Sequence, residues 1–305
     1  MTVVVGTLVL LLLLLLLATN VIPDALRAQQ SSVAPVALTQ PAVASSTTAA
    51  PQTTPDATPA KTVGDAAEAP AAAPAGMVAV PAGPFTMGGV NGQFAADETP
   101  PRVITLGSFY IDTWEVTNVQ FARFADGAGY QTDAEKAGDS TTWRTYNTPD
   151  RQKFPVTYVS WSDAAHYCGW VGKRLPTEAE WEKAARDNTK HIYPWGDVFN
   201  GDFANTFELG AGQPVAVAGH STAGPYGAYD MAGNVWEWVQ DWYQGDYYAV
   251  GPKSNPTGPA TGSQKVIRGG SFKSIASRAT TSVRGRASPD GRGNDIGFRC
   301  AKSAQ

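Results

Sequence analysis

Between Asp230 and Glu237 the chain reads Asp-Met-Ala-Gly-Asn-Val-Trp-Glu, two carboxylates separated by a glycine-containing turn whose carbonyls are free to point inward. Hard cations such as calcium take that mixture of carboxylate and carbonyl oxygen. The same spacing also suits a plainer arrangement, in which Asp230 caps a turn and Glu237 pairs with an arginine. Trp236 and Trp238 alternate around Glu237, a pattern that usually means packing. Downstream, Arg268-Gly-Gly-Ser-Phe272 is a β-prone run ending in two glycines, where a second backbone or a ligand can approach closely. The three histidines, His166, His191 and His220, have no metal-like spacing, so a zinc or iron centre built on imidazoles is not expected. No nucleophile-elbow pattern supports a Ser-His-Asp triad.

Three helix starts must help to position these residues. Each has a hydroxyl residue followed three positions later by an acid or amide that can reach back to the cap: Thr117 with Gln120, Ser160 with Asp163, and Thr177 with Glu180. Apolar spacing continues each of them as an amphipathic helix. β-prone runs lie at Met77 to Val80, Arg102 to Leu106, Phe109 to Ile111 and Lys265 to Arg268. From Asn188 onward Gly, Pro, Asn and Asp dominate, which predicts irregular loop with short strands.

Composition limits where all this can fold. Every Trp, Tyr and Phe lies at or beyond Phe85 in the 305-residue chain, so the first quarter cannot supply an aromatic core. Residues 29–76 are mainly Ala, Pro, Thr, Ser and Val, which bury too little surface to offset ordering entropy and read as a disordered tether. Met1 to Ala18 is almost wholly apolar, with eight leucines from Leu10 to Leu17. Residues 1–28 therefore read as a signal peptide or a retained N-terminal membrane anchor, and residues 77–305 as one extracytoplasmic domain whose only membrane contact is that segment. In an oxidising compartment Cys168 and Cys300 read as a disulfide rather than free thiols. The net charge of −4, with no basic stripe, argues against a nucleic-acid partner.

Eight motifs in order resemble the formylglycine-generating-enzyme, or sulfatase-modifying-factor, family. They are Val80-Pro-Ala-Gly-Pro-Phe-Thr-Met-Gly88, Trp114-Glu-Val-Thr-Asn118, Pro155-Val-Thr-Tyr-Val-Ser-Trp161, Gly172-Lys-Arg-Leu-Pro-Thr-Glu-Ala-Glu-Trp-Glu182, Tyr193-Pro-Trp-Gly196, Gly233-Asn-Val-Trp-Glu-Trp238, Arg268-Gly-Gly-Ser-Phe272 and Gly297-Phe-Arg-Cys300. The resemblance implies a compact, loop-rich α+β domain of C-type-lectin-like fold, and it implies that Cys168 and Cys300 pair. It also implies a structural calcium held by the side chains of Asp230 and Glu237 and the carbonyls of Gly233 and Val235. Asn205 and the Thr206 carbonyl match part of a second calcium site, whose acidic glycine-rich continuation is missing. Trp236 and Ser271 stand at the family's groove positions.

One departure is chemical. The family's oxidase converts a client cysteine to formylglycine with oxygen and a copper ion held by two cysteines just after the Gly-Gly-Ser. Here Lys273 to Val283 contains no cysteine, and Ser274 stands where the first thiolate is expected. A hydroxyl cannot replace a soft copper(I) ligand, so copper is not expected. Two functions follow as expectations. One is a calcium-stabilised binding domain for a polypeptide or glycan, without formylglycine-generating oxidase activity. The other is a protein-modifying oxidoreductase with altered active-site chemistry.

Overall fold

A computed structural model describes residues 72–89, 94–219 and 221–304. The apolar segment 1–28 and nearly all of the tether 29–76 lie outside the described residues, as does His220. Among the described residues no helix is long and apolar enough to cross a membrane.

Capping chemistry places the longer helices. The helices are α1 (Asn118–Ala128), α2 (Asp133–Ala137), α3 (Trp143–Tyr146), α4 (Trp161–Trp170), α5 (Glu178–Arg186) and α6 (Tyr247–Val250). Thr117, Ser160 and Thr177 cap α1, α4 and α5, and the backbone N–H of each donates to Gln120, Asp163 or Glu180 at 2.8, 2.9 and 2.8 Å. Each such cap contributes about 1 kcal/mol, which matters for helices of two to three turns.

The strands are β1 (Met77–Val80), β2 (Gly83–Met87), β3 (Arg102–Leu106), β4 (Phe109–Asp112), β5 (Trp236–Trp242), β6 (Lys265–Arg268), β7 (Arg284–Ala287), β8 (Ile296–Phe298) and β9 (Ala301–Ser303). They form a three-stranded sheet in the order β1-β4-β9, a β2-β3 pair, and a four-stranded sheet in the order β7-β6-β5-β8. β5 pairs antiparallel with β6 and parallel with β8. The short strands and few helices make a loop-rich α+β domain, as expected.

Two aromatic-lined cores flank this arrangement. One gathers Phe85, Phe109, Trp181 and Tyr248 around the N-terminal strands and α5. The other gathers Phe121, Trp143, Trp238 and Phe298 between α1, α4 and β5, with Phe121 edge-on to Trp143 at 5.1 Å. The buried Trp238 indole donates to the Val159 carbonyl at 3.1 Å, and the Trp161 indole to the Val239 carbonyl at 2.8 Å, so β5 is tied to the start of α4 from both sides.

Little of the backbone is held by regular ladders, and α5 supplies the substitute. All nine of its residues are buried, including Glu178, Glu182, Lys183 and Arg186. Lys183 donates to the carbonyls of Pro81 and Gly83 at 2.7 and 3.1 Å, and Arg186 to those of Thr86 and Gly88 at 3.0 and 2.6 Å. These contacts tie α5 to backbone acceptors in and beside β2. Cys168 and Cys300 are joined, with Cα atoms 5.7 Å apart across a sequence separation of 132. On the chain-entropy account closing so long a loop contributes about 4–5 kcal/mol.

Candidate functional site

The turn that precedes β5 brings three carboxylates around one guanidinium. Asp230, Gly233 and Asn234 all have positive φ, at 58°, 82° and 63°. Gly233 has no alternative, because a Cβ there would lie 2.4 Å from the Asn205 carbonyl oxygen. That same carbonyl accepts the Asn234 N–H at 2.7 Å, so Asn205 and Thr206 pack directly against the turn. The Asn234 side chain donates to Glu115 Oε1 at 2.9 Å and accepts from Asn205 Nδ2 at 3.1 Å.

Arg299 closes the cluster. Its Nη2 and Nε donate to Glu237 Oε1 and Oε2 at 2.6 and 2.7 Å, and the Trp181 indole adds a third donor to Oε2 at 2.8 Å. Asp230 Oδ2 accepts the Ala218 N–H at 2.6 Å. The plainer arrangement open in the sequence, a turn-bound Asp230 and an arginine-paired Glu237, is therefore present. It does not exhaust the charge. Glu115, Asp230 and Glu237 face a single arginine, and burial pushes all three carboxyls upward, with repulsion among them acting in the same direction on Glu115 and Glu237. Glu115 Oε2 and Asn205 Oδ1 are buried without a hydrogen-bond partner.

A hard cation suits oxygen donors of this kind, and the surplus negative charge favours one. Glu237 accepts three hydrogen bonds from Arg299 and Trp181, two on Oε2 and one on Oε1, and among the described residues no three His, Cys, Asp or Glu side chains are grouped to hold a metal. The donors least engaged are Asp230 and nearby backbone or amide oxygens, with Glu237 Oε1 beside them accepting a single hydrogen bond.

The other candidate residues separate. Trp236 is half-buried and lines a cleft of about 670 Å³ together with Ile267, Gly285, Arg286, Tyr243, Arg284, Arg278 and Ala95–Asp97. Ser271 does not line it. Ser271 is wholly buried, and its hydroxyl accepts the Lys273 N–H at 3.2 Å while its own N–H donates to Ser274 Oγ at 3.0 Å. The two serines lock the turn after the paired glycines. Ser274 thus offers a hydroxyl already engaged in that turn, and both cysteines of the chain are bound to each other. The residues present do not fit a thiolate-held copper ion.

The cleft floor rests on a second buried ionic network that the sequence did not announce. Arg284 grips Glu178 through Nε and Nη2 at 2.7 and 3.0 Å, and Arg268 donates to Glu182 at 2.6 Å. The Tyr248 hydroxyl bridges Glu178 and Glu182 at 3.1 and 3.3 Å. Glu115 and Arg299 were also unassigned, although both sit inside recognised motifs.

Comparison with known proteins places this geometry. The family described as sulfatase-modifying factor enzyme 1-like domain matches residues 62–304. A formylglycine-generating enzyme of Mus musculus is 37% identical, the match covering 74% of this chain and 74% of that protein. A second mouse protein, named inactive C-alpha-formylglycine-generating enzyme 2, is 32% identical over 75% of this chain and 86% of its own length. Among solved structures, PvdO from Pseudomonas aeruginosa superposes with a TM-score of 0.64 at 27% identity, covering 74% of this chain and 94% of PvdO. With a family match over most of its length and relatives above 30% identity, the chain belongs to the sulfatase-modifying-factor, or formylglycine-generating-enzyme, family.

Proposed function

We propose that this chain is an exported binding domain that holds a polypeptide in the cleft beside Trp236 and carries out no copper-dependent oxidation. One observation carries the proposal: both cysteines are consumed by the Cys168–Cys300 disulfide, while Ser274, where the family's first copper thiolate would stand, is hydrogen-bonded into a turn. The cleft itself is open, and its indole offers the large, rigid contact surface that polypeptide recognition uses. A relative named as inactive lends support that family membership alone would not, because function follows the site and not the fold.

The disulfide between distant segments fits an oxidising, extracytoplasmic compartment. Calcium belongs to the proposal as a structural ion, held by Asp230 and the carbonyls of Gly233 and Val235, with Glu237 buttressing the site through Arg299. The second site, Asn205 with the Thr206 carbonyl, stays the lesser part of this proposal: Asn205 packs against the same turn and its Oδ1 has no hydrogen-bond partner. An enzyme with altered chemistry is the weaker alternative, since Ser271 is buried and cannot reach a ligand in the cleft.

Selection of displayed peptides on the purified chain, repeated with Trp236→Ala, tests the binding function. Peptides that bind the parent and are lost at least ten-fold on the variant are expected. Peptides that bind both equally, or none at all, would place binding elsewhere or remove it.

A further inference from the structure

The cleft is built around the free edge of a sheet. β7 is the terminal strand of β7-β6-β5-β8 and, among the described residues, pairs only with β6. An edge strand offers unpaired backbone groups along its outer side, which is the template for adding an extended segment. The cavity reaches both faces of this strand. On one face a Cβ at Gly285 would come within 2.6 Å of Ile267 and 2.9 Å of the Trp236 ring, so the missing side chain lets the indole lie over the strand. On the other face the Arg286 guanidinium sits 4.6 Å over the Tyr243 ring, as period-two alternation requires.

Charge separates the two faces. Arg284 is neutralised by Glu178, but neither Arg286 nor Arg278 forms an ion pair among the described residues. Arg286 donates only to the Tyr243 hydroxyl at 2.7 Å, which in turn donates to Asp97, the single acid lining the cleft. Both free arginines are exposed. A protein of net charge −4 thus places two unpaired guanidinium groups in one cleft, Arg286 on β7 and Arg278 in the segment that leads into it. Guanidinium matches carboxylate in a planar fork, with specificity that a lysine patch lacks.

We infer that the cleft takes an acidic polypeptide segment in extended conformation along β7. Carboxylates at alternate positions meet Arg286 and Arg278, and the intervening apolar side chain packs on Trp236 over Gly285. This inference rests on the binding function above and adds the ligand's charge, conformation and two-residue period. The backbone edge favours a polypeptide over an anionic glycan, because only a polypeptide continues the ladder.

Fluorescence anisotropy on the full chain tests this with a labelled peptide of sequence Gly-Ser-Glu-Val-Glu-Val-Glu-Ser-Gly. Its partners are the same peptide with Gln for Glu, the same with Lys for Glu, and a heparin hexasaccharide. The acidic peptide should bind at least ten-fold more tightly than the Gln peptide at low salt, and high salt should shrink that advantage. The double variant R278A/R286A should abolish it, whereas Lys302→Ala on β9 should leave it intact. Equal binding of the Glu and Gln peptides overturns the inference, and so does an acidic preference that survives in the double variant. Tighter Arg286-dependent binding of the hexasaccharide overturns it in favour of a glycan. If Gln or Lys peptides bind through Trp236 while the acidic one does not, the inference fails and the binding function stands. If no peptide of any charge binds, both fail.

Discussion

Arg299 holds both carboxylate oxygens of Glu237, at 2.6 and 2.7 Å, with neither side chain exposed to solvent. The pair joins the residue after β8 to the start of β5. Charge on a buried arginine is favoured here by Glu237 first and by Glu115 and Asp230 behind it, so its guanidinium is held more firmly protonated than usual against the cost of burial.

Arg299→Met should therefore be costly. It would strand Glu237 beside Glu115 and Asp230 with no counter-charge, and loss of one partner from a buried pair costs about 3–5 kcal/mol. Urea unfolding of parent and variant measures this. A loss below about 1 kcal/mol would mean that the cluster is neutralised by something other than Arg299.

Calcium should stabilise the domain by mass action. At about 100-fold excess over its dissociation constant a ligand bound only to the folded state contributes about 2.7 kcal/mol. A chelator should then lower the melting temperature of the parent by about 5 °C or more, and Asp230→Ala should no longer respond. A parent whose melting temperature ignores the chelator has no structural calcium.

Lys265 gives a pH dependence remote from that cluster. Its ammonium lies 3.9 Å from the ring centroids of both Trp161 and Trp242 and donates to the Gln240 carbonyl at 2.8 Å. Burial pushes its pKa down to about 8, against the pull of Asp241. Between pH 8 and the ordinary lysine value of about 10.4, the unfolded chain keeps a proton that the folded chain has released, so stability rises with pH across that window. Lys265→Met removes the group. The urea midpoint of the parent should gain on that of the variant between about pH 7.5 and 9.5, and a constant difference would show that the indole faces offset the burial.

Local chemistry was legible in the sequence, and long-range chemistry was not. The caps at Thr117, Ser160 and Thr177 were readable because a cap is decided within four residues. β1, β3, β4 and β6 were readable from β-prone runs. β5, the strand that carries Trp236 and Glu237, was missed: it is buried on both faces, Trp238 on one and the acids Glu237 and Asp241 on the other, and its register with β6 shifts between Trp238 and Trp242. Period-two alternation cannot show through that.

Beyond the cap partner Glu180, the acids and bases of α5 carried no role in the sequence, yet Glu178, Glu182, Lys183 and Arg186 are buried against partners far away in the chain, as Glu182 is against Arg268. Glu115 and Arg299 were visible as motif members without roles, because nothing near either residue says that they meet around Asp230. Ser271 was placed at a groove by its motif, and its actual work, bracing the turn with Ser274, is turn chemistry that the Gly-Gly-Ser run was equally able to express.

The central claim, a family frame used without copper oxidation, is tested most directly by incubating the purified full chain with copper, oxygen and a cysteine-bearing sulfatase peptide and following the peptide by mass spectrometry. The peptide should be recovered with its cysteine intact. Conversion of that cysteine to formylglycine would contradict it.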